Sequence, residues 1–110
     1  MLTTKIENRD GIQLVRLAGA LDAATQAVFR EQLGAWAQHA GARIVLDCAE
    51  LAYASSEGLA LLVQGPPGHP RFFGVAGLNR RISGTIELLG MDRRLNRFAS
   101  VEQALAAAAS

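Results

Sequence analysis

The sequence predicts an α/β fold, a small sheet with helices packed on it, and three observations carry that prediction. Two β-type runs, Thr3 to Glu7 and Ile12 to Leu17, flank Asn8-Arg9-Asp10-Gly11, whose Asp-Gly pair signals a tight turn. Val28, Phe29, Leu33, Trp36 and Ala37 then recur at helical spacing before a β-branched run, Arg43-Ile44-Val45-Leu46-Asp47. Half of the 110 residues are apolar, enough for one compact core and too few for two ordinary domains, so residues 1–110 are expected to form a single domain.

In chain order, the first two runs form an antiparallel hairpin, closed by Gly19-Ala20-Leu21-Asp22. Asp22 is placed to cap a helix over Ala23 to His39, which Ala40-Gly41 stops. Strand, helix and strand in that order suit a right-handed crossover and put Arg43 to Asp47 in the middle of the sheet. On one helical stripe, Phe29, Leu33 and Trp36 face the sheet, and the core spans Ile12 to Leu46.

From Ala49 to Val63 a small polar cluster, Ser55-Ser56-Glu57-Gly58, interrupts the apolar pattern where a strand hands over to a helix. Leu59 to Val63 reads as a short buried helix opened by a serine. Unpaired N–H groups and the positive end of the helix dipole gather at such a terminus, which makes it a place for a phosphate. The same spacing fits Ser55 or Ser56 acting only as the cap.

Gln64-Gly65-Pro66-Pro67-Gly68-His69-Pro70 cannot continue a helix and is a loop. Phe72 to Ala76 is a strand, and Asn79 caps a helix with Ile82, Ile86 and Leu89 on one face, ended by Gly90. Met91 to Phe98 holds a short strand or extended piece, and Ser100 with Gln103 makes a capping box for Val101 to Ala108.

A net charge of +1 with 19% charged residues lacks the bias of a polyanion-binding or an acidic disordered chain. The single cysteine, Cys48, has no internal disulfide partner and reads as a small packed hydrophobe, which fits a reducing cytoplasm. No apolar run reaches membrane-spanning length, and Met-Leu-Thr-Thr-Lys lacks a signal peptide's apolar stretch, so a soluble, cytoplasmic protein is expected.

Gly19-Ala20-Leu21-Asp22, Ile44-Val45-Leu46-Asp47, Tyr53-Ala54-Ser55-Ser56-Glu57-Gly58-Leu59, and the tail from Phe73-Gly74-Val75 to Val101-Glu102-Gln103-Ala104-Leu105 together resemble the STAS domain, and among its members the bacterial anti-sigma factor antagonists. The resemblance covers nearly the whole chain. It implies a STAS-like α/β fold, a small mixed sheet of about four to five strands with about four helices packed mainly on one side. It also implies a non-catalytic partner switch, in which an anti-sigma factor serine kinase phosphorylates one serine and thereby releases its hold, and a phosphoserine phosphatase reverses the step.

Carried over by position, the family's Asp-Ser-(Ser or Thr)-Gly-Leu switch falls on Ser55, Ser56, Glu57, Gly58 and Leu59, with Ser56 as the phosphoacceptor. Asp22 matches the acid of the family's first loop, near the switch serine and part of the partner surface; it is equally suited to capping alone. Ser55 replaces the motif's usual acid, and two larger departures stand out. Glu57 puts a carboxylate one residue after the acceptor, where it favours the helix dipole and repels an incoming phosphate. Gly65-Pro66-Pro67-Gly68 cuts short a helix that borders the family's docking surface.

Other chemistry has little to rest on. His39 and His69 are not linked by any signature to a serine, so no catalytic constellation is expected. One cysteine and two distant histidines make no recognisable metal set, and neither dinucleotide nor P-loop spacing occurs, so no cofactor is expected. Arg80, Arg81, Arg93, Arg94 and Arg97 give the tail a basic bias without aromatic interleaving, which reads as a solvated face rather than a nucleic-acid surface. The alternative to the phospho-switch is a STAS subunit of a transporter or other signalling assembly. Neighbouring genes distinguish the two, a serine kinase against a transporter ATPase and permease.

Overall fold

The computed structural model describes residues 1–110. Asp10 and Gly11 take φ of 54° and 83°, the two left-handed positions that a two-residue turn needs to match strand twist. The Gly11 N–H donates to Asn8 Oδ1 at 3.0 Å and locks the turn. From it run β1 (Leu2–Arg9) and β2 (Ile12–Leu21), antiparallel from Arg9↔Ile12 to Leu2↔Gly19. Both strands are longer than the sequence pattern predicts.

Next come α1 (Gln26–Trp36), β3 (Arg43–Ala54), α2 (Ser56–Gln64), β4 (Phe72–Ala76) and α3 (Arg80–Leu88). A single 3₁₀ turn, Asp92–Arg94, leads to β5 (Arg97–Phe98) and α4 (Val101–Ala109). The strands lie in the order β1-β2-β3-β4-β5, antiparallel in the first pair and parallel in the rest, so the sheet is mixed and β3 is its middle strand, as expected.

Alternation along β2 and β3 sends apolar side chains to both faces. Val15, Leu17, Ile44, Leu46, Cys48 and Leu51 join one buried cluster with Phe29 and Leu33 of α1, Leu59 and Leu62 of α2, and Ile82 and Ile86 of α3. Ile12, Leu14 and Val45 point the other way and are covered by Ala104 and Ala108 of α4. Three helices therefore pack on one face and one on the back.

Several boundaries differ from the sequence reading. The first helix begins at Gln26 rather than Ala23 and ends at Trp36 rather than His39. Asp22 does not cap it: its Oδ1 accepts from the N–H groups of Ala24 (3.1 Å) and Thr25 (3.2 Å), which satisfies the backbone in a turn instead of a helix. Phe29 and Leu33 are buried, but Trp36 is only half-buried and Val28 is 58% exposed. The third strand continues past Asp47 to Ala54, and the helix after it starts at Ser56, nine residues long, not at Leu59. Asn79 caps α3 as expected, its Oδ1 accepting from Ile82 N–H at 2.8 Å, with Ile82 and Ile86 buried, whereas Leu89 lies past the helix end and is 50% exposed. Ser100 Oγ accepts from Gln103 N–H at 3.2 Å and opens α4.

Candidate functional site

The parallel strands β2 and β3 finish together, Leu21 beside Ala54, and the chain turns directly into α2. Two contacts fix that turn. The Ser55 N–H donates to the Leu21 carbonyl oxygen at 2.9 Å, and Ser55 Oγ accepts from Gly58 N–H at 3.1 Å. Ser55, in an extended conformation at φ −72° and ψ 172°, is thus the helix cap of the Ser-Ser pair.

Gly58 is buried because α2 rests directly on the end of β2. A β-carbon there would lie 2.7 Å from the Leu21 carbonyl oxygen and 2.9 Å from Leu21 Cγ. The missing side chain lets the helix N-terminus sit against the strand whose next residue is Asp22. That residue is half-buried, its N–H donating to Thr25 Oγ1 at 3.0 Å, while the Thr25 hydroxyl lies 3.0 Å from the Ala20 carbonyl oxygen and 3.1 Å from Asp22 Oδ1. The loop after β2 is therefore held by its own side chains beside the first turn of α2.

Asp22, Ser55, Ser56, Glu57 and Gly58 accordingly gather at the carboxyl ends of two neighbouring parallel strands, the end of an α/β sheet where ligands and partners usually bind. Ser56 and Glu57 are exposed in the first helical turn. The Glu57 carboxylate favours the helix dipole there by about 0.3–1 kcal/mol. Sequence spacing does not reveal Leu21, which acts through its main-chain carbonyl, or Thr25, which sits in a stretch with helical spacing. Tyr53, 52% exposed and two residues before the cap, is a further aromatic at this end of the strand.

The remaining reactive groups lie elsewhere. Burial pushes the Cys48 thiol up to about 12, which keeps it protonated and unreactive at neutral pH. His39 and His69 are exposed and belong to different loops. Arg80, Arg81, Arg93, Arg94 and Arg97 are all exposed, and Arg97 lies 3.4 Å from Glu87. No helix is long and apolar enough to cross a membrane.

Comparison with known proteins places this architecture. A family model described as "Mlab, STAS domain" matches residues 6–108. A search of curated proteins finds no match. Among solved structures, an anti-sigma factor antagonist from Mycobacterium paratuberculosis superposes with a TM-score of 0.84 and 26% identity, over 100% of this chain and 96% of that one. The Bacillus cell fate determinant SpoIIAA in its phosphorylated form gives a TM-score of 0.61 and 17% identity, over 94% and 97%. The murine anion transporter Solute Carrier 26 family member A9 gives 0.70 and 16%, over 98% of this chain and 22% of that one. The latter two likenesses concern the fold alone. With a family match running from residue 6 to residue 108 across this mixed sheet and its four helices, the chain belongs to the STAS domain family.

Proposed function

We propose that the chain is a non-catalytic partner-switching protein, an anti-sigma factor antagonist that regulates transcription indirectly and is controlled by phosphorylation of Ser56. The observation that carries this reading is the division of labour between two adjacent serines: the Ser55 hydroxyl is committed to Gly58 N–H, while Ser56 is exposed at the first position of α2. Further support comes from the 26% identical structure, itself an anti-sigma factor antagonist, matched over 96% of its length.

In this reading residues 1–110 act as one cytoplasmic domain, and Asp22, Ser55, Ser56, Glu57 and Gly58 form the surface that meets an anti-sigma factor with serine kinase activity. The kinase transfers the γ-phosphoryl group of ATP to Ser56 Oγ: the bond to ADP breaks, the bond to the serine oxygen forms, and the hydroxyl proton leaves to a base on the kinase. The product carries about −1.5 to −2 charges at pH 7, which the N–H groups at the start of α2 accommodate without unfolding. A partner surface built for a neutral hydroxyl between Asp22 and Glu57 cannot tolerate that dianion, and it releases. A phosphoserine phosphatase resets the protein.

The experiment is to incubate the chain with an anti-sigma factor serine kinase and ATP, then to map phosphate by mass spectrometry. One phosphate on Ser56 is expected, retained in Ser55→Ala and lost in Ser56→Ala. Phosphate elsewhere overturns the reading. A second reading, a STAS subunit of a transporter or another assembly without phospho-switching, is favoured by the exposed Glu57 carboxylate beside the acceptor and by the fold shared with an anion transporter. It predicts that no phosphate is accepted.

A further inference from the structure

The two edges of the sheet are unlike. β5 has two residues, too short to template another strand, whereas β1 offers eight, Leu2–Arg9, with β2 on one side and nothing on the other. The Met1 carbonyl accepts from Ala20 N–H at 2.9 Å, so the alternation of an antiparallel ladder turns the N–H and C=O groups of Leu2, Thr4, Ile6 and Asn8 outward. Their side chains point to the α1 face, where Ile6 is 54% exposed and Leu2 and Thr4 line a shallow groove with the 58% exposed Val28 of α1. On the opposite face the odd residues read Thr3, Lys5, Glu7, Arg9.

We infer that β1 is a dimerisation edge: two copies of this chain pair β1 to β1, antiparallel, about a two-fold axis at Ile6. In that register Ile6 meets the partner's Ile6 with both backbone bonds exchanged, and Thr4 stands opposite the partner's Asn8. Lys5 stands opposite the partner's Glu7 and Glu7 opposite the partner's Lys5, in the closely spaced positions of the ladder. Glu7 is already bonded to Arg9 and lies 3.6 Å from Arg16, so it is held on that face and ready to take a further cation. The charges also exclude the neighbouring registers. A slip of two residues one way sets Lys5 against the partner's Lys5, and the other way sets Glu7 against the partner's Glu7, both destabilising. Edge charges that normally prevent pairing thus favour this arrangement over the two registers nearest to it. The switch region of each copy, at the carboxyl ends of β2 and β3, lies one strand in from this edge.

Sedimentation velocity on the purified chain over a wide concentration range tests this. The parent is expected to be a concentration-dependent dimer, and Ile6→Arg, which sets two cations on the axis at an exposed position, to be a folded monomer under the same conditions. Lys5→Glu, which leaves the Glu7 contacts to Arg9 and Arg16 in place, and Glu7→Lys each set like charges opposite and are expected to weaken the dimer at least tenfold. Mixed in equal amounts, those two variants are expected to form a heterodimer. A parent that stays monomeric throughout, a dimer that survives Ile6→Arg, or a mixture no tighter than its components would overturn the inference.

Discussion

Gly58 is where one absent carbon decides the shape of the candidate site. An alanine there must push α2 off the Leu21 carbonyl or distort the end of β2, since the added carbon would lie at 2.7 Å. Overpacking of this kind costs about 1–3 kcal/mol, and alanine's better helix propensity returns at most about 1 kcal/mol. Gly58→Ala is therefore expected to lower the urea midpoint and to shift the Asp22 and Ser55 amide resonances together; unchanged stability would show that the two elements do not bear on each other. Cys48 makes a second prediction at this scale. Its folded-state value of about 12 stands above the ordinary 9.0, so the folded chain holds the thiol proton more tightly than the unfolded one does. The associated stability is full below the unfolded value and is lost as pH rises from there towards 12. Native protein at pH 8 is expected to resist a thiol reagent that labels it at once in denaturant, and rapid native labelling would contradict the burial.

At the scale of elements, α1 shows what periodicity resolves and what it leaves open. Its stripe of Phe29, Leu33 and Trp36 was legible, and all three pack on the sheet side, with the Phe29 and Trp36 rings edge to face at 6.1 Å. Phe29 is wholly buried and Trp36 only partly. Phe29→Ala is expected to cost about 3–5 kcal/mol and Trp36→Ala less than that full-burial figure, both read from denaturant melts, and the reverse ranking would mean the helix is rotated about its axis. The start of α1 was not legible, because Asp22 and Thr25 have the side chains of caps but spend them inside a turn. The outer half of β3 was hidden for a different reason. Ala49 to Ala54 pairs with β2 through two register shifts, so no clean alternation survives in its sequence. The Asp-Gly hairpin, β4 and the Asn79 and Ser100 caps were readable because each rests on local side-chain chemistry alone.

At the scale of the molecule, the parallel strands and α2 bring residues distant in sequence, Asp22 and Ser55 to Gly58, to one end of the sheet. The resemblance supplied those positions, but their union depends on the Leu21 carbonyl, which serves Ser55 N–H and limits Gly58. The central claim is that charge added at Ser56 changes partner binding while the fold persists. Titration of the anti-sigma partner by calorimetry into unmodified chain and into chain phosphorylated at Ser56, with circular dichroism on both, tests it most directly. Superimposable spectra, tight binding by the unmodified form, and at least a tenfold loss on phosphorylation, the equivalent of about 1.4 kcal/mol, are expected. Equal affinity of the two folded forms would contradict the claim.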